Sequence, residues 1–322
     1  MELRECLRLR TRSPPGFSLR LTLEVYNFYW FYRGGECGYV VLEEEPPIVA
    51  RVCNAGGAIE ARVYSASCLG IDEGGVEGRL RYVLGLDEDL EEFWGIAQRD
   101  PLLRGFAELF RGWRLRASSP WWSLVVGICQ QNTGFRQGWR MLGRILKLLG
   151  RPVWIGGDEL RLPPAPQDVV EGQGLLRAAG VGYRWRSLLS VALAAMKGLL
   201  GVDRLRCLGA AGAEKELRKL RGVGAYTARL ALALSLRSYS LAPIDRWLRA
   251  LASYAYGVEP GEVEREWHSR WGRWSALAAI ALTIALDAEP LGRALERVKR
   301  GELVPNERAV PTPLTLWRWK GF

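Results

Sequence analysis

The hydrophobic period of the chain changes once, near residue 86, and that change constrains the fold more than any other feature. Before it, Phe17, Leu19, Leu21, Leu23 and Val25 alternate with polar or small partners. This is the pattern of a strand with one face on a core. Apolar runs at 28–32, 39–42, 48–52 and 59–64 follow, punctuated by Gly34-Gly35, Pro46-Pro47 and Gly56-Gly57. Residues 1–86 are therefore expected to form a small antiparallel β-sheet domain. From Asp87 the spacing is helical: Leu90, Phe93, Trp94 and Ala97 share a face, and Asp100-Pro101 opens a second helix with proline in its first turn. The spacing predicts further helices over 120–131, 135–149, 182–199, 212–220, 225–236, 245–256, 273–287 and 290–300. The stretch 160–166 (LRLPPAP) reads as a stiff connection. The class is α+β: a sheet domain, an all-helical domain over 87–303, and a tail over 304–322.

The chain of 322 residues carries 45 basic and 35 acidic residues, net charge +10, and only six of the basic residues are lysine. Such a surface favours a polyanionic partner, nucleic acid first, although an arginine-biased composition alone gives the same sum. Residues 1–6 hold no apolar stretch behind a basic cap, so no secretory signal is expected. The late apolar run 274–286 is 13 residues long, short of the ~20 that span a bilayer. Cys6, Cys37, Cys53, Cys68, Cys129 and Cys207 contain no C-x-x-C pair. Neither a metal site nor a disulfide framework is expected, and a reduced, intracellular protein, cytoplasmic in a prokaryote, is the default, although hyperthermophiles do form disulfides inside the cell.

The segment most loaded with chemistry is Leu220-Arg221-Gly222-Val223-Gly224-Ala225-Tyr226-Thr227-Ala228. It joins the predicted helices of a hairpin over 212–236 by a turn with two glycines, which permit positive φ and close approach of another backbone. The second helix then presents unpaired N–H groups at its positive end, suited to a phosphate. An ordinary hairpin with a glycine cap has the same outline. The segment after the second helix separates the two: Pro243-Ile244-Asp245 precedes another helix, placing a carboxylate 23 residues after Gly222. Aspartate is a preferred helix N-cap, and here it also stands beside the hairpin.

The order L-x-G-V-G-x-x-T-A, helix, P-I-D, helix resembles the helix-hairpin-helix DNA glycosylase superfamily. Ser123 to Asn132, Leu176 to Arg184 and Trp271 to Trp274, together with the strands before residue 85, are similar to the branch of 8-oxoguanine DNA glycosylase and 3-methyladenine DNA glycosylase II. The resemblance implies excision of a damaged base from double-stranded DNA by a monomeric enzyme, in base excision repair. It implies Asp245 as the catalytic residue. Gly222, Val223, Gly224, Tyr226 and Thr227 would form the backbone-binding hairpin, and Gln131 and Asn132 would enter the duplex. Aromatic faces suit a flat, especially a cationic, base, so Tyr226, Trp247, Trp122, Phe28 and Trp30 are candidate pocket residues. Arg246, Arg249 and Arg136 are candidate phosphate contacts. No cofactor is implied beyond a monovalent cation at the hairpin.

Departures sharpen the expectation. Bifunctional members carry a lysine two positions after G-V-G that forms a Schiff base with the sugar; here that position is Tyr226. The four cysteines of an iron–sulfur cluster are missing after Cys207. Two positions after the aspartate, where the 8-oxoguanine enzymes have histidine, stands Trp247, and 279–283 offers neither the glutamine nor the phenylalanine of their pocket. His268, the chain's one histidine, receives no role. A monofunctional glycosylase for an alkylated or otherwise modified purine is the expectation. A glycosylase/lyase and a non-catalytic DNA-binding protein are the alternatives.

Overall fold

The computed structural model describes residues 1–26 and 28–321. Strands β1 (Arg4–Arg12), β2 (Cys37–Glu44), β3 (Pro47–Asn54) and β4 (Ala58–Ser65) form an antiparallel sheet in the order β1-β4-β3-β2. The three runs at 39–42, 48–52 and 59–64 lie inside β2, β3 and β4. The segment 17–25 is not a strand. It contains the helix α1 (Leu19–Glu24), whose N-cap Ser18 accepts the Leu21 N–H at 3.3 Å. The alternation arises because α1 lies between two cores. Leu19 and Leu23, one helical turn apart, face a small core under the sheet, whereas Leu21 and Val25 face the large helical core. The run 28–32 is also irregular rather than extended; Phe28, Tyr29, Trp30 and Phe31 pack on the large core and Tyr32 into the small one.

Disulfides Cys6–Cys68 and Cys37–Cys53 correct the expectation of reduced cysteines, leaving Cys129 and Cys207 as thiols. Cys37 and Cys53 are register partners across β2 and β3, and Cys68 follows β4, which pairs with β1 beside Cys6. Strand pairing, not spacing along the chain, brings these sulfurs together.

A helix within the first domain, α2 (Glu73–Leu84), seals the small core and begins at Asp72, whose carboxylate caps the Gly75 N–H. The helical domain opens with α3 (Glu91–Ala97), α4 (Arg104–Phe110), α5 (Pro120–Gln130) and α6 (Phe135–Leu149). Ser119 joins the domains at the start of α5: its hydroxyl accepts the Trp122 N–H at 3.1 Å and donates to Glu44 of β2 at 2.7 Å. Of the expected stiff connection at 160–166, residues 160–162 end a hairpin of β5 (Arg151–Ile155) and β6 (Asp158–Leu162), 163–165 connect, and Pro166 opens the next helix. Short helices α7 (Pro166–Glu171) and α8 (Gln173–Ala178) lead to α9 (Trp185–Met196) and α10 (Val202–Cys207). The glycine-turn hairpin is α11 (Gly209–Leu217) and α12 (Ala225–Leu236), followed by α13 (Arg246–Tyr256), α14 (Val263–Trp271), α15 (Ser275–Ala285) and α16 (Leu291–Arg300).

The late apolar run forms α15, buried on every side. Among the described residues no helix is long and apolar enough to cross a membrane. Arg237, in the left-handed conformation after α12, ties that helix to the end of α2 and beyond: it donates to Tyr82 O, Val83 O and Glu88 Oε2 at 2.8, 3.0 and 2.7 Å.

Candidate active site at the helical hairpin

The turn between α11 and α12 needs its first glycine twice over. Gly222 has φ +78°, and a side chain there would collide with the Ser187 hydroxyl. Gly224 is different: its φ of −90° is ordinary, and a Cβ would meet only open space. The packing of the chain does not require that glycine, whereas a backbone approaching from outside would. Ala225 to Thr227 start α12, so their N–H groups precede its hydrogen-bond ladder and point outward. Val223 is buried, anchoring the turn. Two carbonyls of the turn are engaged within the chain, Gly222 O by Gln131 and Leu220 O by Val223. Among the described residues no cluster of His, Cys, Asp or Glu could hold a metal ion.

Helix α5 packs closely on α12, with Gly127 against Thr227. At its end Gln131 donates both amide hydrogens to the hairpin, to Gly222 O at 2.7 Å and to Thr227 Oγ1 at 2.5 Å. The structure thus makes Gln131 a brace. Asn132, exposed and left-handed (φ 46°), is the residue of the pair at the tip. Beside it lies an aromatic that the sequence reading did not single out. Tyr183 is 61% exposed, Arg184 stacks on its ring, and the same guanidinium donates to Gln131 O. An exposed tyrosine after Gly180-Val181-Gly182 was the available signal.

Asp245 caps α13: Oδ1 accepts the Leu248 N–H at 2.8 Å. Its carboxyl also lines a cavity of about 730 Å³. The cavity walls withdraw water and push the carboxyl above the usual aspartate range, against the opposing pull of the Leu248 and Trp247 N–H groups and of Arg249. Tyr26, Phe28, Phe135, Trp139, Tyr226 and Trp247 supply the aromatic wall. Burial and then the Asp245 charge raise the Tyr226 phenol well above its ordinary value, so it stays protonated. Phe28, Tyr226 and Trp247 thus stand where the sequence reading expected pocket residues. Trp122 and Trp30 do not line the cavity. Trp122 is fully buried and stacked on Tyr29, and Trp30 lies edge-on to Trp139. Both are apolar-run aromatics drawn into the core.

The tail closes the cavity. Val310, Pro311 and Thr312 line it, held by Arg136 donating to Val310 O at 3.1 Å and by Tyr26 N donating to Pro313 O at 2.9 Å. Trp317 packs on Tyr32 and donates to Glu24; Phe322 lies outside the described residues. Arg136 is therefore tied to the tail, and Arg249 to Pro260 O at 3.0 Å. Arg246 is exposed in the first turn of α13, beside Asp245. His268 is half-buried on α14 with both ring nitrogens bonded.

No protein-family model matches the chain. A DNA-3-methyladenine glycosylase of Bacillus subtilis is 26% identical over 169 residues, 50% of this chain and 54% of that protein; the chain thus spans about half the length of this relative. An 8-oxoguanine glycosylase/lyase of Clostridium acetobutylicum superposes with TM-score 0.68 at 19% identity, covering 88% of this chain and 98% of that one. The 3-methyladenine DNA-glycosylase of Archaeoglobus fulgidus superposes with TM-score 0.70 at 17% identity, covering 85% and 96%. The chain has the helix-hairpin-helix fold that these glycosylases share.

Proposed function

We propose that this chain is a monofunctional DNA N-glycosylase that flips a damaged purine out of double-stranded DNA and hydrolyses its glycosidic bond. One observation carries the reading: Asp245 stands at an aromatic-walled cavity immediately beside the hairpin. The hairpin N–H groups hold a phosphate without reading sequence. Asn132 and Tyr183 occupy the space left by the flipped nucleotide. The purine stacks between cavity aromatics, which favour a cationic alkylated ring.

As the C1′–N bond breaks, its electron pair leaves with the base, and positive charge builds on the sugar. The Asp245 carboxylate stabilises that charge and orients a water, whose oxygen bonds to C1′ while its proton passes to the carboxylate. No lysine is among the residues that line the cavity, and Lys219, on the approach to the hairpin, is paired with Glu216. This supports hydrolysis rather than a Schiff base, leaving an abasic site and an unbroken strand. The Bacillus subtilis relative supports an alkylated purine as the substrate. On this reading the chain acts inside the cell, where DNA is, and as a monomer. A panel of duplexes, each with one alkylated, oxidised or deaminated purine, tests the reading: excision of at least one, revealed by alkaline cleavage, is expected. Duplex binding without any excision overturns it.

A further inference from the structure

The peptide delivering Asp245 to the cavity, residues 241–244, belongs to no helix or strand. Pro243 within it has no N–H to donate. One internal bond, from Ile244 N–H to Ala242 O at 2.9 Å, closes a turn in it, and Ala242 shows what else holds it. This buried residue has side chains bonded to both of its backbone polar groups. Its N–H donates to His268 Nε2 at 3.3 Å, and its carbonyl accepts from Arg229 Nη1 at 3.2 Å. His268 Nδ1 lies 2.7 Å from the Glu264 carbonyl. A carbonyl can only accept, so Nδ1 carries the hydrogen and Nε2 keeps the lone pair that Ala242 uses. Arg229 projects from α12, the second helix of the hairpin. Its Nη1 also donates to Glu264 Oε1 at 2.6 Å, and its Nε lies 3.2 Å from Glu214 Oε2. Glu264 therefore serves both arms, its carboxylate holding Arg229 and its backbone holding His268.

We infer that His268 and Arg229 are positioning residues that clamp Ala242 and so fix the Asp245 carboxylate relative to the hairpin. Neither lines the cavity. They act through Asp245, making phosphate docking on α12 and carboxylate placement one rigid unit. The inference rests on the glycosylase reading.

Single-turnover excision and duplex affinity are measured together. His268→Leu removes the acceptor, and a carboxylate misplaced by about 1 Å slows excision roughly 10- to 100-fold, with affinity for abasic duplex unchanged. His268→Gln, whose amide oxygen reaches the Nε2 position, recovers most of the rate. In an Asp245→Asn background His268→Leu produces no further slowing, because its effect passes through that carboxylate. Wild-type excision by His268→Leu, failure of glutamine to recover the rate, or losses that multiply in the double variant would each overturn the clamp. Should His268→Leu fail to fold, His268→Asn, too short to reach Ala242, carries the same test. A wild-type chain inert on every lesion overturns the glycosylase reading, and the inference with it.

Discussion

Replacing Asp245 by asparagine separates the two tasks of that side chain. As an N-cap it accepts the Leu248 N–H at 2.8 Å, and the amide oxygen of asparagine does the same at nearly equal strength. Folding should hardly suffer. The sign of the pKa shift agrees. Partial burial raises the folded-state pKa of Asp245 above the unfolded one, so its ionised form carries a stability cost above that raised value, kept small because the residue is exposed. The cost fades only as pH falls and the group protonates. Asparagine removes it, and the variant should melt no lower than the parent at pH 7. Catalysis should behave oppositely. A full charge about 4 Å from a sugar cation, at an effective dielectric near 20, is worth ~4 kcal/mol, or ~10³-fold in rate. Single-turnover excision, anisotropy on abasic duplex and a thermal melt measure the three quantities. A folded, DNA-bound variant that excises within tenfold of the parent would refute the electrostatic role. Loss of binding in step with rate would refute the separation of tasks.

The rate of excision should rise with pH and level off once Asp245 is ionised. Its acid limb should lie above the ordinary aspartate range because burial raises that carboxyl; a limb at or below pH 3.8 would contradict the cavity's effect. Borohydride should trap no covalent adduct on lesion DNA, and strand breaks should need alkali, whereas Tyr226→Lys, placing an amine at the cavity wall, should gain trapping. Efficient trapping by the parent chain would instead favour the lyase alternative. Thiol titration of the denatured, unreduced chain should find two cysteines, Cys129 and Cys207, and all six only after reduction. Opening the loops closed by Cys37–Cys53 and Cys6–Cys68 should lower stability by up to ~3 and ~4 kcal/mol, read as a fall in the denaturation midpoint of the reduced chain.

The elements most legible in the sequence are those whose ends and faces are encoded locally. Helices α6 and α12 run over the predicted 135–149 and 225–236, because glycine stands at each start and apolar residues recur at helical spacing. Asp245 was legible for the same reason: an N-cap is a local device, and its place after Pro243-Ile244 belongs to the chain itself. Long-range features were hidden. The two-core sandwich around α1 produced a period-2 pattern from i, i+4 pairs. Cys37 and Cys53 are register partners, and Cys6 and Cys68 meet where β1 pairs with the end of β4, so only strand pairing reveals the disulfides. Trp122 and Gln131 have plausible sequence neighbours for a pocket and a wedge, but their partners, Tyr29 and Gly222, lie 93 and 91 residues away.

The tail over 304–322 carries this contrast into function. It has no hydrophobic period, and its described residues form one short helical turn, at Leu316–Arg318, so nothing local marks it as part of a site. Yet Asp287 and Arg297 grip it at Asn306 N and Val304 O, and Val310, Pro311 and Thr312 line the cavity together with the aromatic wall. On the proposed reading, the carboxylate and the hairpin serve bond cleavage on any purine delivered to them. Shape selection among purines therefore falls to the surfaces that bound the cavity. One of these is a segment whose conformation is set by helices closing around it rather than by its own sequence. Substitutions at Val310 or Thr312 should accordingly shift which lesion is excised fastest while leaving the Asp245→Asn defect unchanged. Lesion-panel rates for these variants measure that, and an unaltered lesion ranking would remove the tail from the recognition surface.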